Sequence, residues 1–381
     1  MQFQADAAVT PSGIITDATI CVKDGYITDV SGTPCENTEI NAYATVLLPG
    51  FVDLHVHGGG GADTMDGTMD ALKVLCRAHG RCGTTTLLAT TMTESDARIT
   101  RALENVALAI DAGSAFCPDG AQIAGIHLEG PFINPLRAGA QPAEHIRQPN
   151  YAEWLHYVAS ANGHIKRVTI AAEYPKAREI LDYCWANHIA ITIGHTMISG
   201  AELQDILALG PADATHLFNA MNGIHHRIPG PIPTFLTHPS ALCELIADGF
   251  HIHPDLIRMT YQTRGSAGII AITDAMAGMG CADGHFELGG HAVTVSAGRA
   301  LLADGTLAGS VLGMSQAARN LALFTGCSVL DVVRMTSANA AQRLGRTDIG
   351  RISIGARADF VHVSNTYEVQ STTVGGIPIP N

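Results

Sequence analysis

Charge is scarce in this 381-residue chain. Asp, Glu, Lys and Arg together make only 15%, and cations are the rarer sign, 22 against 35, for a formal charge of −13. A surface of that sign repels nucleic acid and anionic membranes, which argues against both as partners. It leaves room for a small anion bound by a few placed cations. No apolar run approaches the ~20 residues of a membrane span. The start, MQFQADAAVT, lacks a basic stretch followed by an apolar one. No secretory leader is therefore expected, and the expected location is cytoplasmic. The nine cysteines are odd in number, scattered, and contain no C-x-x-C. They read as reduced, mostly buried thiols, not as a disulfide framework. Internal repeats and low-complexity tracts are also missing.

What is abundant is core material. Hydrophobic residues reach 46%, and 40 glycines suggest many tight turns. The length suits two domains or one large α/β barrel with additions. Residues 1–49 alternate apolar and polar positions, as in GIITDATICVKDGYITDVSG, with Asp24-Gly25 as a hairpin signal. Residues 346–381 have the same character, with a GG turn in EVQSTTVGGIPI. Both ends together predict one small β-sandwich domain. The middle, 50–345, alternates short apolar runs with helical stretches. The runs are 51–57, 84–90, 123–128, 167–172, 189–195, 212–218, 242–247 and 268–273. Helices are expected at TMDALKVLCRAHG and at SDARITRALENVALAI, the latter capped by Ser95. Eight β-then-α units predict a (β/α)8 TIM-like barrel. An open doubly wound sheet is the runner-up, but no G-x-G-x-x-G follows the first strand. A β-hairpin excursion is expected within 280–309.

The polar residues collect at one end of these strands. VDLHVHGGGG carries His55 and His57. With 18 His in the chain, roughly one H-x-H pair arises by chance, and His251 and His253 form another. Position says more than spacing. His55 and His57 end the first run, and residues i and i+2 of a strand share a face. Glu129 follows the third run, His195 ends the fifth, His216 lies in the sixth, and Asp274 follows the eighth. In a barrel these are the C-terminal strand ends, where active sites form. A single His there is ordinarily a hydrogen-bonded structural residue. A set converging from five strands suits Zn²⁺ or Fe²⁺, with an Asp placed for proton transfer. Glu173, after the fourth run, reads as a loop acid facing solvent. His225 and His226 read as substrate-side or surface residues. The four glycines after His57 would let backbone pass close to substrate.

These segments carry a family resemblance along nearly the whole chain: LLPGFVDLHVHGGGG, GIHLEGPFIN, TIGHT, ATHLFNAMNG, LIADGFHIH, ITDAM, LAGSVLGM and TSANAAQRLGRTDIGRISIGARADFVHV. The chain resembles the N-acetylglucosamine-6-phosphate deacetylases of the amidohydrolase superfamily. HLEGP with HLFNAM is the most specific pair. The resemblance implies hydrolysis of the N-acetyl group of N-acetyl-D-glucosamine 6-phosphate, a step of amino sugar catabolism. It implies that Glu129, His195 and His216 hold the main metal. It matches His55 and His57 to the pair that holds a second one in some members, while other members lack that pair and use one metal, so one or two divalent ions per chain are expected. It implies Asp274 as the catalytic acid and base. It implies that Asn219, Ala220, Arg227 and His251 hold the sugar phosphate and hydroxyls. The family's arginine comes from the neighbouring subunit, so a homodimer is implied.

One position departs from the family. A His usually follows HLEGP and polarises the substrate carbonyl; here Gln141 takes that place, with His145 four residues on. Gln141 favours a rival reading, an amidohydrolase for another N-acyl amino sugar: N-acetylgalactosamine 6-phosphate or an unphosphorylated sugar. A non-catalytic protein of the same fold, and a deaminase of the superfamily, are further rivals. Intact Glu129, His195, His216 and Asp274 argue against the first. HLEGP and HLFNAM argue against the second.

Overall fold

A computed structural model describes residues 1–380. All eight expected runs are strands, here named β1 (Phe51–Val56), β2 (Thr84–Thr90), β3 (Gln122–Glu129), β4 (Ile165–Ile170), β5 (Ala190–Ile193), β6 (Asp213–Ala214), β7 (Cys243–Ile246) and β8 (Ile269–Ile272). They pair in parallel in that order. The ends meet where Val56 bridges Ala275 and the Asp274 amide donates to the His55 carbonyl at 2.9 Å. The chain is therefore a closed (β/α)8 barrel. Strands covered by helices outside and side chains inside have no solvent face, which is why they read as continuous apolar runs.

Helix Met69–Arg81 starts where expected, with the Thr68 hydroxyl accepting from the Ala71 amide. Helix Asp96–Asp111 also starts on cue, but Ser95 caps it by position only. Its hydroxyl accepts nothing from the first turn. The Ser95 amide instead donates to the carboxylate of Glu94, its neighbour in sequence. The Glu94 carboxylate already serves Arg98 and faces His145.

The two chain ends build the second layer. The sandwich takes the form of one continuous seven-stranded sheet that uses Gln2–Cys35, Thr45–Pro49 and Phe360–Ile379. One face closes on its own small core of Ala8, Ile20, Ile27, Leu47 and Phe360. The other, through Val9, Ile14, Val46, Leu48 and Val361, joins the barrel core. Asp24 and Gly25 both take positive φ, 51° and 81°, the left-handed turn that a two-residue hairpin requires. Between β8 and helix Met314–Thr325 lies a three-stranded antiparallel sheet: Gly284–Leu288, His291–Ser296 and Arg299–Leu301.

The barrel interior is unusually polar under its C-terminal mouth. Thr169 Oγ1 lies 2.8 Å from Thr192 Oγ1, 3.1 Å from Thr215 Oγ1 and 2.8 Å from His127 Nε2, all fully buried. Barrel centres are ordinarily filled by branched apolar layers. Beside this layer Arg167, Asp213 and Glu244 bring three charges inside the wall.

Candidate active site

The strand ends deliver the expected residues to one cavity of about 190 Å³. Its floor is His57, Glu129, His195, His216 and Asp274, and its walls include Gln141, Asn219, Ala220 and His251. His55 lies just beneath, fully buried.

The imidazoles and carboxylates meet at their tips. Glu129 Oε1 lies 3.2 Å from His216 Nε2, 3.3 Å from His195 Nε2 and 3.5 Å from His55 Nε2. Its other oxygen, Oε2, lies 3.2 Å from His57 Nε2. Asp274 Oδ1 faces His55 and His57 at 3.4 and 3.3 Å. The side chains form two groups of metal-ligand geometry: Glu129, His195, His216 and His55, His57, Asp274. Glu129 stands between them.

This arrangement fits cations. His195 Nε2 and His216 Nε2 are 3.1 Å apart, and His55 Nε2 and His57 Nε2 are 3.2 Å apart. Buried lone pairs converging this closely need positive charge between them. His195 Nδ1 lies 2.8 Å from the Arg137 carbonyl, so it carries the proton and donates it there, leaving the Nε2 lone pair free to ligate. Electrostatics say the same. Burial opposes protonation of His57, yet Asp274 and Glu129 outweigh it and push its pKa up to about 9. Burial also opposes ionising Glu129, but the imidazoles around it hold it well below the usual carboxylate range. Asp274 is drawn down to about 2 against burial, because His55 and His57 face it. The cluster demands positive charge at its centre.

The backbone is bent to achieve this. His195, His216, Phe218, Ala220 and Asp274 all hold positive φ, between 28° and 80°. Each such residue costs on the order of 1–3 kcal/mol, and these positions cluster where strands hand over to loops at functional sites. The glycines after His57 serve a different purpose from the one expected. None lines the cavity. The Gly58 and Gly60 amides donate to Ala275 and Met279, and a Cβ on Gly58 would meet the Ala277 amide at 2.7 Å. They seal the seam between the β1 loop and the segment carrying Asp274.

Several expectations are resolved by position. Gln141 is 5% exposed and enters the site. Its Oε1 accepts the Thr93 amide at 2.8 Å, so its Nε2 must face Glu129 Oε2, to which it donates at 2.7 Å. His145 stays outside, 3.5 Å from Glu94 and beyond the cavity lining. Glu173 is not a solvent-facing acid. It accepts from Asn134 Nδ2 at 2.9 Å and from the Met197 amide at 2.7 Å, tying the loop after β3 to the loop after His195. His251 lines the cavity with Nδ1 2.6 Å from Asp248, whereas His253 is the exposed N-cap of helix Pro254–Arg264. Arg227, His225 and His226 lie in an exposed loop and do not line this chain's own cavity.

Sequence reasoning missed the wall formed by Thr306 and Leu307 from the excursion. It also passed over Glu244 and Arg167. A charge inside an apolar barrel run, as in LCELIA and RVTIAA, was the available signal.

Comparison with known proteins agrees with this geometry. The amidohydrolase family profile matches residues 46–378. The chain is 43% identical to the N-acetylglucosamine-6-phosphate deacetylase of Bacillus subtilis (strain 168), over 97% of this chain and 94% of that protein. It is 32% identical to an N-acetylgalactosamine-6-phosphate deacetylase of Escherichia coli O157:H7, over 98% of each. Among solved structures it resembles a Mycobacterium smegmatis N-acetyl-D-glucosamine-6-phosphate deacetylase variant in complex with N-acetyl-D-glucosamine-6-phosphate. The TM-score is 0.91 at 30% identity, covering 100% of this chain and 99% of that one.

Proposed function

The chain belongs to the amidohydrolase family, and from that premise we infer that it hydrolyses N-acetyl-D-glucosamine 6-phosphate to acetate and glucosamine 6-phosphate. The observation that carries this reading is the convergence of Glu129, His195, His216 and Asp274 in one cavity. Likeness to a 43% identical deacetylase supports the substrate.

Glu129, His195 and His216 would hold a divalent cation, Zn²⁺ or Fe²⁺, which when bound would supply Lewis acidity for the amide carbonyl and for water at neutral pH. His55, His57 and Asp274 would hold a second one. The ionised Asp274 carboxylate accepts a proton from the attacking water at Oδ1 and passes it to the departing amine. Gln141 Nε2 has two hydrogens; one is given to Glu129, and the other is free for the carbonyl oxygen. Asn219, Ala220 and His251 orient the sugar from the cavity wall. Kinetics on the two 6-phosphate epimers and on unphosphorylated N-acetylglucosamine test the assignment. The gluco 6-phosphate is expected to give the highest kcat/KM, and preference for the galacto epimer or the unphosphorylated sugar would overturn it.

The phosphate is held across a homodimer. Arg227 sits in an exposed loop between Ile224 and Ile228, which are 53% and 75% exposed. Two exposed apolar side chains flanking Arg227 suit a subunit contact, and in that arrangement a second copy would cover them and bring Arg227 to its neighbour's cavity. Arg227→Ala is expected to cost ~10–100-fold in kcat/KM on the phosphorylated sugar, the range for a hydrogen bond to a charged group. Turnover of the unphosphorylated sugar should barely change. Mixing Arg227→Ala with Asp274→Asn chains should restore activity, since a mixed dimer contains one complete site. Failure to regain any activity would remove the shared site.

A further inference from the structure

The lower end of the metal cluster connects to a line of buried charges that the reaction itself does not use. His55 Nε2 faces the ligand cluster, but its Nδ1 is buried with no hydrogen-bond partner. Glu244 Oε2 faces it at 3.8 Å. The same oxygen accepts the His216 amide at 3.2 Å, and the Glu244 carbonyl accepts the Leu217 amide at 2.8 Å. Glu244 therefore touches both ligand groups: the ring of His55 in one and the backbone of His216 in the other. Its second oxygen pairs with Arg167 Nη2 at 2.7 Å, and both side chains are fully buried. Arg167 continues to Asp213 at 3.5 Å, and Asp213 pairs with the partly exposed Arg343.

A carboxylate and a guanidinium fully removed from water are costly, and a purely structural role would be served as well by apolar residues of similar volume. A carboxylate behind a ligating imidazole has a definite use. It takes the Nδ1 proton, fixes the tautomer, and leaves the Nε2 lone pair for the metal. Arg167 keeps Glu244 ionised for that purpose. The gap to His55 is under 1 Å longer than a normal N–H···O bond, as catalytic contacts often are before the site is loaded.

We propose that Glu244, held by Arg167, is a positioning residue that selects the His55 tautomer and so sets occupancy of the second metal site. This rests on the two-metal reading above. Because Glu244 also braces the His216 backbone, it links the two ligand groups mechanically.

Metal content and affinity test it separately from turnover. Wild-type protein loaded with Zn²⁺ is expected to hold two ions per chain, and the His55→Asn/His57→Asn double variant sets the one-ion benchmark. Glu244→Gln is expected to weaken only the second ion, about 10–100-fold in chelator competition, the usual effect of losing such a partner. Glu244→Asp keeps the charge and should recover part of that affinity. Equal loss of both ions, or two ions bound with wild-type affinity, overturns the proposal. A wild-type protein holding no ion overturns the hydrolase mechanism itself; one holding a single ion overturns this proposal and spares the hydrolase. If Glu244→Gln does not fold, the wild-type protein still decides. Proton NMR of the two-ion form should show a slowly exchanging imidazole N–H, assigned through its loss in His55→Asn. Its absence sinks the proposal.

Discussion

Asp274→Asn is expected to abolish turnover, with a loss on the order of 10⁴, the upper range for a general acid and base. The substitution keeps the shape and removes the ability to hold a proton at Oδ1. Asp274 is placed for this role by three features. It follows β8 directly, its backbone holds φ 50°, and its amide closes the barrel by donating to the His55 carbonyl. Its carboxylate thus cannot drift from the cavity floor. The ion held by Glu129, His195 and His216 should remain, because none of those ligands depends on Asp274. The second ion is expected to weaken, since Asp274 Oδ1 faces both His55 and His57. Metal analysis beside kinetics separates the two effects. Activity within a few-fold of wild type would exclude Asp274 as the proton carrier. Loss of both ions would mean that the variant acts by dismantling the site.

The barrel was legible because its strands are buried on both faces. Burial of that kind leaves a short, mainly apolar run ending in a polar residue, and FVDLHVH, IAGIHLE and IAITIGH all have that form. Their polar ends could be assigned to one face of one barrel without knowing any distance. The direction of the glycines after His57 could not. Gly58 is required by the proximity of Ala277, a residue far away in sequence, and no local pattern encodes that contact. Ser95 shows the same limit at shorter range. Its position was correct, but the Glu94 carboxylate took its amide and left its hydroxyl without a capping bond. Glu173 read as a loop acid because its partners, Asn134 and Met197, come from two other loops. Glu244 was hidden for a related reason. A single charge inside an apolar strand is meaningful only once Arg167 is seen beside it on another strand.

Glu129→Gln is expected to empty both metal positions, because the Glu129 carboxylate faces the Nε2 atoms of the imidazoles in both groups. Oε1 serves His195, His216 and His55, and Oε2 serves His57. A neutral amide at this position removes the charge that two cations would share. It also sets an NH₂ group against imidazole lone pairs or against the Gln141 amide, which now donates to Oε2. Turnover should fall on the order of 10³ or more, since the metal contributes several kcal/mol to the transition state. Glu129→Asp distinguishes bridging from charge alone. It keeps the carboxylate but shortens the arm by one methylene, so it cannot span two groups whose tips are held apart by separate strands. One ion should remain, near His195 and His216, with weak activity. Two ions in Glu129→Gln at wild-type affinity would show that the imidazoles and Asp274 suffice without a bridge. Two ions in Glu129→Asp would show that charge matters at this position and reach does not.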